Sequence, residues 1–74
     1  MDMGNVYKWQ DEQRKKFTEG KQVMVKIPGY RKTQLCTVIR CVTQTEQSLG
    51  SRFGVYVDFQ GKPVKVLPME CKIV

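Results

Sequence analysis

The apolar and polar positions of the 74-residue chain change their period near Gly20. Before Gly20, Trp9 and Phe17 are eight residues apart, a spacing that places both on one side of a helix. After Gly20, apolar residues alternate with polar ones, as in half-buried strands. The change of period predicts an N-terminal helical segment at residues 1–19 and a β domain at residues 20–74.

The first segment predicts one helix, which is capped by Asn5 and ends near Phe17. A helix of about twelve residues is only marginally stable by itself. We therefore expect Val6, Trp9 and Phe17 to pack against the sheet and to cover one open end of it. The alternative, that the Trp9 side is an adhesive surface for a partner, stays open.

Alternation and turn residues predict five strands in the β domain. Pro28-Gly29 ends the first strand, Gln60-Gly61-Lys62 turns the third into the fourth, and Pro68-Met69-Glu70 interrupts the pattern for one helical turn. The strands are expected near residues 23–27, 35–43, 53–59, 64–67 and 71–74. The expected core residues are Val23, Val25, Ile27, Val38, Val55, Val57, Val64, Val66 and Ile73.

This layout over residues 20–74 resembles an SH3-like small β-barrel, as found in Tudor and KOW domains. The resemblance implies a mainly β fold, a five-stranded SH3-like barrel with a short N-terminal α-helix. In position and in its closing proline, Val64-Lys65-Val66-Leu67-Pro68 is also similar to the active strand of plasmid-borne type II dihydrofolate reductases. That family has Gln where this chain has Lys65, and Tyr where it has Leu67.

Positive charge is concentrated in one part of the chain. The net charge is +6, and the segment from Gly20 to Thr45 contains no Asp or Glu. A one-signed field on part of a small domain attracts polyanions, of which nucleic acid is the commonest inside cells. The five cations of that segment are Lys21, Lys26, Arg31, Lys32 and Arg40.

Two loops of the predicted barrel carry binding chemistry. In residues 28–34, Tyr30 is suited to stack on a base, Arg31 and Lys32 to meet phosphates, and Gln34 to form hydrogen bonds. The alternative is a solvated turn whose Tyr30 folds back onto the barrel. The second loop, residues 44–54, is expected to be polar and long. The candidate nucleic-acid-binding residues are Lys21, Lys26, Tyr30, Arg31, Lys32, Gln34, Arg40, Arg52 and Lys62.

Catalytic and metal chemistry find little support in the residue types. The chain has no histidine, and Cys36, Cys41 and Cys71 have no CxxC spacing. We therefore expect no metal, no cofactor and no enzymatic activity, with the thiols buried and reduced rather than nucleophilic. No apolar run reaches the ~20 residues that cross a bilayer, and no signal-peptide pattern is present, so we expect a soluble cytoplasmic protein without a membrane partner.

The sequence thus predicts a small basic protein that binds DNA or RNA with low specificity. The alternative is a protein-binding adapter or inhibitor from a mobile element, which docks through the Trp9 helix or a strand edge. Self-association stays open, because so small a sheet has limited area with which to bury its apolar side chains.

Overall fold

The computed structural model describes the backbone of residues 3–74 and the side chains of residues 7–74, and within these residues the chain is mainly β. No helix in residues 3–74 is long and apolar enough to span a membrane. The elements in chain order are α1 (Met3–Lys16), β1 (Gln22–Val25), β2 (Gln34–Cys41), α2 (Gln44–Ser48), β3 (Val55–Phe59), β4 (Lys62–Val66), a 3₁₀ turn (Pro68–Glu70) and β5 (Cys71–Ile73).

The five predicted strands form one antiparallel sheet in the order β4-β3-β2-β1-β5. Strands β1 to β4 follow one another as a meander, and the 3₁₀ turn then brings β5 back beside β1. A shift of register between Val38 and Arg40 marks a bulge in β2, and bulges bend a strand. Among residues 3–74 the sheet is open, with β4 and β5 at its two edges.

The core lies on one face of this sheet, and most of the predicted core residues are in it. Two expectations need correction, because Val64 is only partly buried and Ile73 is 39% exposed. Ile73 pairs with Val23, but it lies in an edge strand that has no further strand to cover it. Confirmed as buried are Val23, Val25, Ile27, Val38, Val55, Val57 and Val66, joined by Phe17, Cys36, Cys41 and Cys71.

Helix α1 packs on the sheet at its C-terminal end. Phe17, which follows the helix, is 1% exposed and belongs to the core cluster. The Trp9 ring meets the Phe53 ring edge to face, with 5.8 Å between centroids. Within the described residues the helix already includes Met3, so Asn5 lies inside the helix rather than at its cap. The expected packing of Val6 falls outside the side chains that the structure describes.

The segment expected as a polar loop at residues 44–54 contains the short helix α2. Its cap is Thr43, whose hydroxyl oxygen accepts from the Glu46 N–H at 3.2 Å, while a Glu46 carboxylate oxygen accepts from the Thr43 N–H at 3.0 Å. This reciprocal capping box needs Thr or Ser followed three residues later by Glu or Gln. The Thr43-x-x-Glu46 spacing was therefore a sequence signal for a helix, which the loop expectation overlooked.

Candidate nucleic-acid interface

Two hairpin connections meet at one end of the sheet. The register pairs Val25 with Gln34 at the β1–β2 connection and Phe59 with Lys62 at the β3–β4 connection. The pairing of Thr37 with Asp58 places both connections at the same end of the strands. We call residues 26–34 and 59–62 the hairpin end.

A tight turn at the start of the hairpin end positions Tyr30. The Tyr30 N–H donates to the Ile27 carbonyl oxygen at 3.1 Å, with Pro28 and Gly29 between them. Gly29 has a φ of +92°, which a type II turn requires at its third position and which glycine adopts without strain. Pro28 fits the second position, since its ring holds φ near the value needed there. The conformation of the turn backbone therefore sets the direction of the Tyr30 side chain, independently of side-chain contacts.

The Tyr30 ring lies against the Phe59 ring. The centroids are 5.1 Å apart and the planes are inclined at 83°, an edge-to-face arrangement. Phe59 is partly buried against the core, whereas Tyr30 remains 42% exposed. The Tyr30 ring thus packs back onto the sheet and still presents surface to solvent.

The β3–β4 turn completes the hairpin end. Gln60 and Gly61 both have positive φ, +54° and +81°, as in the type I′ turn that suits a two-residue hairpin. A carboxylate oxygen of Asp58 accepts a hydrogen bond from the Gly61 N–H at 2.9 Å and secures the turn. Lys62 follows directly as the first residue of β4.

The charge at the hairpin end is predominantly positive. Lys26, Arg31, Lys32 and Lys62 are exposed, and within residues 7–74 none of them takes part in an ion pair. Asp58 is the nearby acidic side chain, and it is engaged by the turn backbone. Exposed cations at the same end of a sheet as a partly exposed aromatic ring are the chemistry that meets phosphate oxygens and base faces.

Gln34 supports the loop from its base. The Gln34 side-chain amide donates to the Lys32 carbonyl oxygen at 3.0 Å. This bond ties the cationic stretch to the start of β2. One amide N–H of Gln34 therefore supports the loop backbone.

Arg40 lies near the opposite end of β2 and is already paired. Its guanidinium donates to both carboxylate oxygens of Glu46, with 3.2 Å for the Nη2–Oε2 contact, and its Cζ lies 4.7 Å from the Tyr56 ring centroid. The hydrogen bond from Arg40, helped by the Thr43 N–H, lowers the pKa of Glu46 to about 2. The same hydrogen bond raises the pKa of Arg40. The positive charge of Arg40 is therefore compensated locally.

The nine predicted site residues divide between two regions. Lys21 is exposed just before β1, and its carbonyl oxygen accepts from the Val38 N–H at 2.7 Å. Arg52 is exposed just before β3, on the Arg40 side, and its carbonyl oxygen accepts from the Lys65 ammonium at 3.4 Å. The structure brings together Lys26, Tyr30, Arg31, Lys32, Gln34 and Lys62, but not Lys21, Arg40 or Arg52.

Phe59 is the site residue that sequence reasoning missed. It is the last of four alternating apolar residues that share an apolar face of the strand expected at residues 53–59, and no sequence signal linked it to Tyr30, which is 29 residues earlier. The available signal was its position as the last member of that apolar face, immediately before the turn residues. Phe59 packs at the end of the core, where Tyr30 of the neighbouring hairpin contacts it.

The three cysteines are free thiols, and all three are buried. Burial raises the pKa of Cys71 to about 11 and also raises the pKa of Cys36 and Cys41. A raised pKa leaves little thiolate at neutral pH, and thiolate is the reactive species. Among the residues that the structure describes, no cluster of His, Cys, Asp and Glu is suited to hold a metal ion.

A scan of protein-family models, a search of curated proteins and a search of solved structures each found no match to this chain.

Proposed function

We propose that this protein binds nucleic acid, DNA or RNA, with low sequence specificity through the hairpin end. The observation that carries the proposal is the group of four exposed cations without ion pairs at the hairpin end, which also holds the partly exposed Tyr30 ring. Their charge is available to phosphates because no carboxylate among residues 7–74 pairs with them. The proposed role is binding, without catalysis.

The contrast with helix α1 supports this location. Residues 1–19 contain four basic and four acidic side chains, so that part of the chain has no net charge. Within α1, the Arg14 guanidinium contacts the Asp11 carboxylate at 3.0 Å. A polyanion is attracted where one sign of charge is concentrated, and the hairpin end meets that condition better than the helix.

We also propose that the sheet is an SH3-like small barrel. The meander of β1 to β4, the 3₁₀ turn and the return of β5 beside β1 support this proposal. In such a domain side chains fill the interior, so ligands bind to rim loops and strand faces. The hairpin end is a rim of this kind.

A salt titration tests the proposed function. Fluorescence anisotropy with a labelled 20-base-pair duplex is measured at 50 and 200 mM salt. If Lys26, Arg31, Lys32 and Lys62 each neutralise one phosphate, log K falls with log salt at a slope of about −3.6, and affinity drops by about 150-fold. The substitution of Arg31 and Lys32 by Gln lowers the magnitude of that slope by about 1.8.

The matched control replaces Lys8 and Lys15, which are exposed on α1, by Gln. This variant has the same net charge as the hairpin-end variant, so any difference between them reports location rather than total charge. We expect the control to bind nearly as the parent protein does. Equal losses in both variants contradict the proposed site, and no binding of duplex or single strand at 50 mM salt contradicts the function.

The alternative function, binding of a protein partner, is favoured by one specific observation. Tyr7 is half exposed and, with Gln44, Gln47 and Ser48, lines a groove of about 450 Å³ beside α2. Trp9, on the same helix, is 41% exposed. A protein interface anchored on these aromatic side chains weakens little with salt and is lost in Trp9→Ala. Binding through the hairpin end shows the reverse behaviour.

A further inference from the structure

We infer that the hairpin end selects single-stranded nucleic acid, with a base stacked on the Tyr30 ring. This inference rests on the proposed function and names its substrate class. Three features carry it: the backbone turn that directs Tyr30, the Phe59 ring that supports it, and the exposed cations of the hairpin end.

The Tyr30 ring is held in place before any ligand arrives. Its backbone is fixed by the hydrogen bond to Ile27 across Pro28-Gly29, and its ring rests edge to face on Phe59 at 5.1 Å. Phe59 is itself anchored against the core. A ring that is already positioned loses little conformational freedom when a base stacks on it, and this increases affinity.

The exposure of the ring distinguishes single strands from duplexes. In a duplex each base is stacked between its neighbours, so its face is not accessible to a protein ring. A single strand has unstacked bases, and each of the four kinds has a π face on which an aromatic side chain can stack. An exposed ring among phosphate-binding cations therefore adds affinity mainly for unpaired strands.

Low specificity follows from the same geometry. Stacking tolerates every base, whereas sequence is read by donors and acceptors aimed at base edges. At the hairpin end one amide N–H of Gln34 is already bonded to the Lys32 carbonyl oxygen. The cations and the Tyr30 ring supply phosphate contact and aromatic stacking, neither of which reads sequence.

The experiment compares ligands that share a backbone but differ in bases. Affinities of the full chain are measured for a thymidine 12-mer, an abasic DNA 12-mer of the same length, and a 12-base-pair duplex, all at 50 mM salt. Stacking of one base predicts that the thymidine strand binds about 5- to 150-fold more tightly than the abasic strand. The affinity for a uridine 12-mer, compared with that for the thymidine 12-mer, shows whether RNA or DNA is the preferred single strand. The inference covers single strands of both kinds, so either preference is consistent with it.

Two variants separate the ring from the charges. Tyr30→Leu is expected to remove the preference for the thymidine strand over the abasic strand, while Tyr30→Phe keeps it. Arg31→Gln is expected to weaken both strands by similar factors, because it removes a phosphate contact only. If Tyr30→Leu does not fold, ring-proton shifts of Tyr30 in the parent protein serve instead, and they are expected to move with the thymidine strand and not with the abasic one.

The outcomes separate the inference from the proposed function. Equal affinity for thymidine and abasic strands overturns stacking and leaves nucleic-acid binding in place. Duplex binding as tight as that of the thymidine strand overturns selection of single strands. No binding of any of these oligonucleotides overturns both the inference and the proposed function.

Discussion

The Arg14 guanidinium donates to the Val42 carbonyl oxygen from two nitrogens, at 3.3 Å from Nε and 3.2 Å from Nη2. The same side chain donates to Gln47 Oε1 at 2.7 Å and lies 5.1 Å from the Phe53 ring centroid. One residue of α1 thus connects the helix to the end of β2, to α2 and to the segment before β3. Arg14 thus holds the helix on the sheet by hydrogen bonds, whereas Phe17 does so by burial in the core.

Replacement of Arg14 is expected to loosen the helix from the sheet. Arg14→Ala removes hydrogen bonds from a charged donor to partly buried acceptors and lowers the free energy of unfolding by about 2 to 3 kcal/mol. Arg14→Lys recovers only part of this, since an ammonium lacks the planar fork. Urea unfolding is the measurement, and Lys15→Ala, on an exposed position of the same helix, is the control. Equal stabilities of Arg14→Ala and Lys15→Ala contradict the docking role.

The contact between Tyr30 and Phe59 predicts a measurable coupling energy. Edge-to-face pairs contribute about 0.5 to 1.5 kcal/mol beyond the area they bury. A double-mutant cycle with Tyr30→Leu and Phe59→Leu, monitored by urea unfolding, is expected to give a coupling in that range. Additive effects of the two substitutions would show that the two rings are energetically independent. That result would contradict the role of Phe59 as the support of the Tyr30 ring.

The ion pair between Arg40 and Glu46 predicts a specific pH dependence. Hydrogen bonding lowers the pKa of Glu46 from 4.5 to about 2 in the folded state. A lowered pKa means that the carboxylate stabilises the fold above pH 4.5, and that this contribution disappears as the pH falls from 4.5 towards 2. The stability difference between the parent protein and Glu46→Gln is therefore constant between pH 7 and pH 5 and shrinks below that. Thermal unfolding across this range measures it, and a difference that is constant down to pH 2 contradicts the shift.

The β3–β4 turn offers a stabilising substitution. Gln60 has a φ of +54°, a left-handed conformation that most residues adopt at a cost but that asparagine tolerates. Gln60→Asn is expected to raise the free energy of unfolding by about 1 kcal/mol. Gln60→Ala keeps the strained backbone and serves as the control, for which we expect no gain in the free energy of unfolding. If both variants lose stability equally, the Gln60 side chain makes a contribution that the turn geometry does not explain.

Local patterns in the sequence predicted the strands well. Alternation in residues 23–27 and 53–59 places β1 and β3, and the turns at Pro28-Gly29 and Gln60-Gly61 were identified from their residue types. These features depend on near neighbours, because side-chain period and turn conformation are local properties of the backbone. Helix α2 was encoded by an equally local signal, the Thr43-x-x-Glu46 capping box, which was overlooked.

The membership of the candidate site was decided by tertiary structure. The sequence by itself determined that Tyr30 follows a tight turn beside Arg31 and Lys32, since these residues are contiguous. Only the sheet register brought Phe59 and Lys62 to the same end and left Arg40 with Glu46 near the other. The charge and type of each residue can be read from the sequence. Which side chains meet across strands depends on which distant segments the folded core brings together.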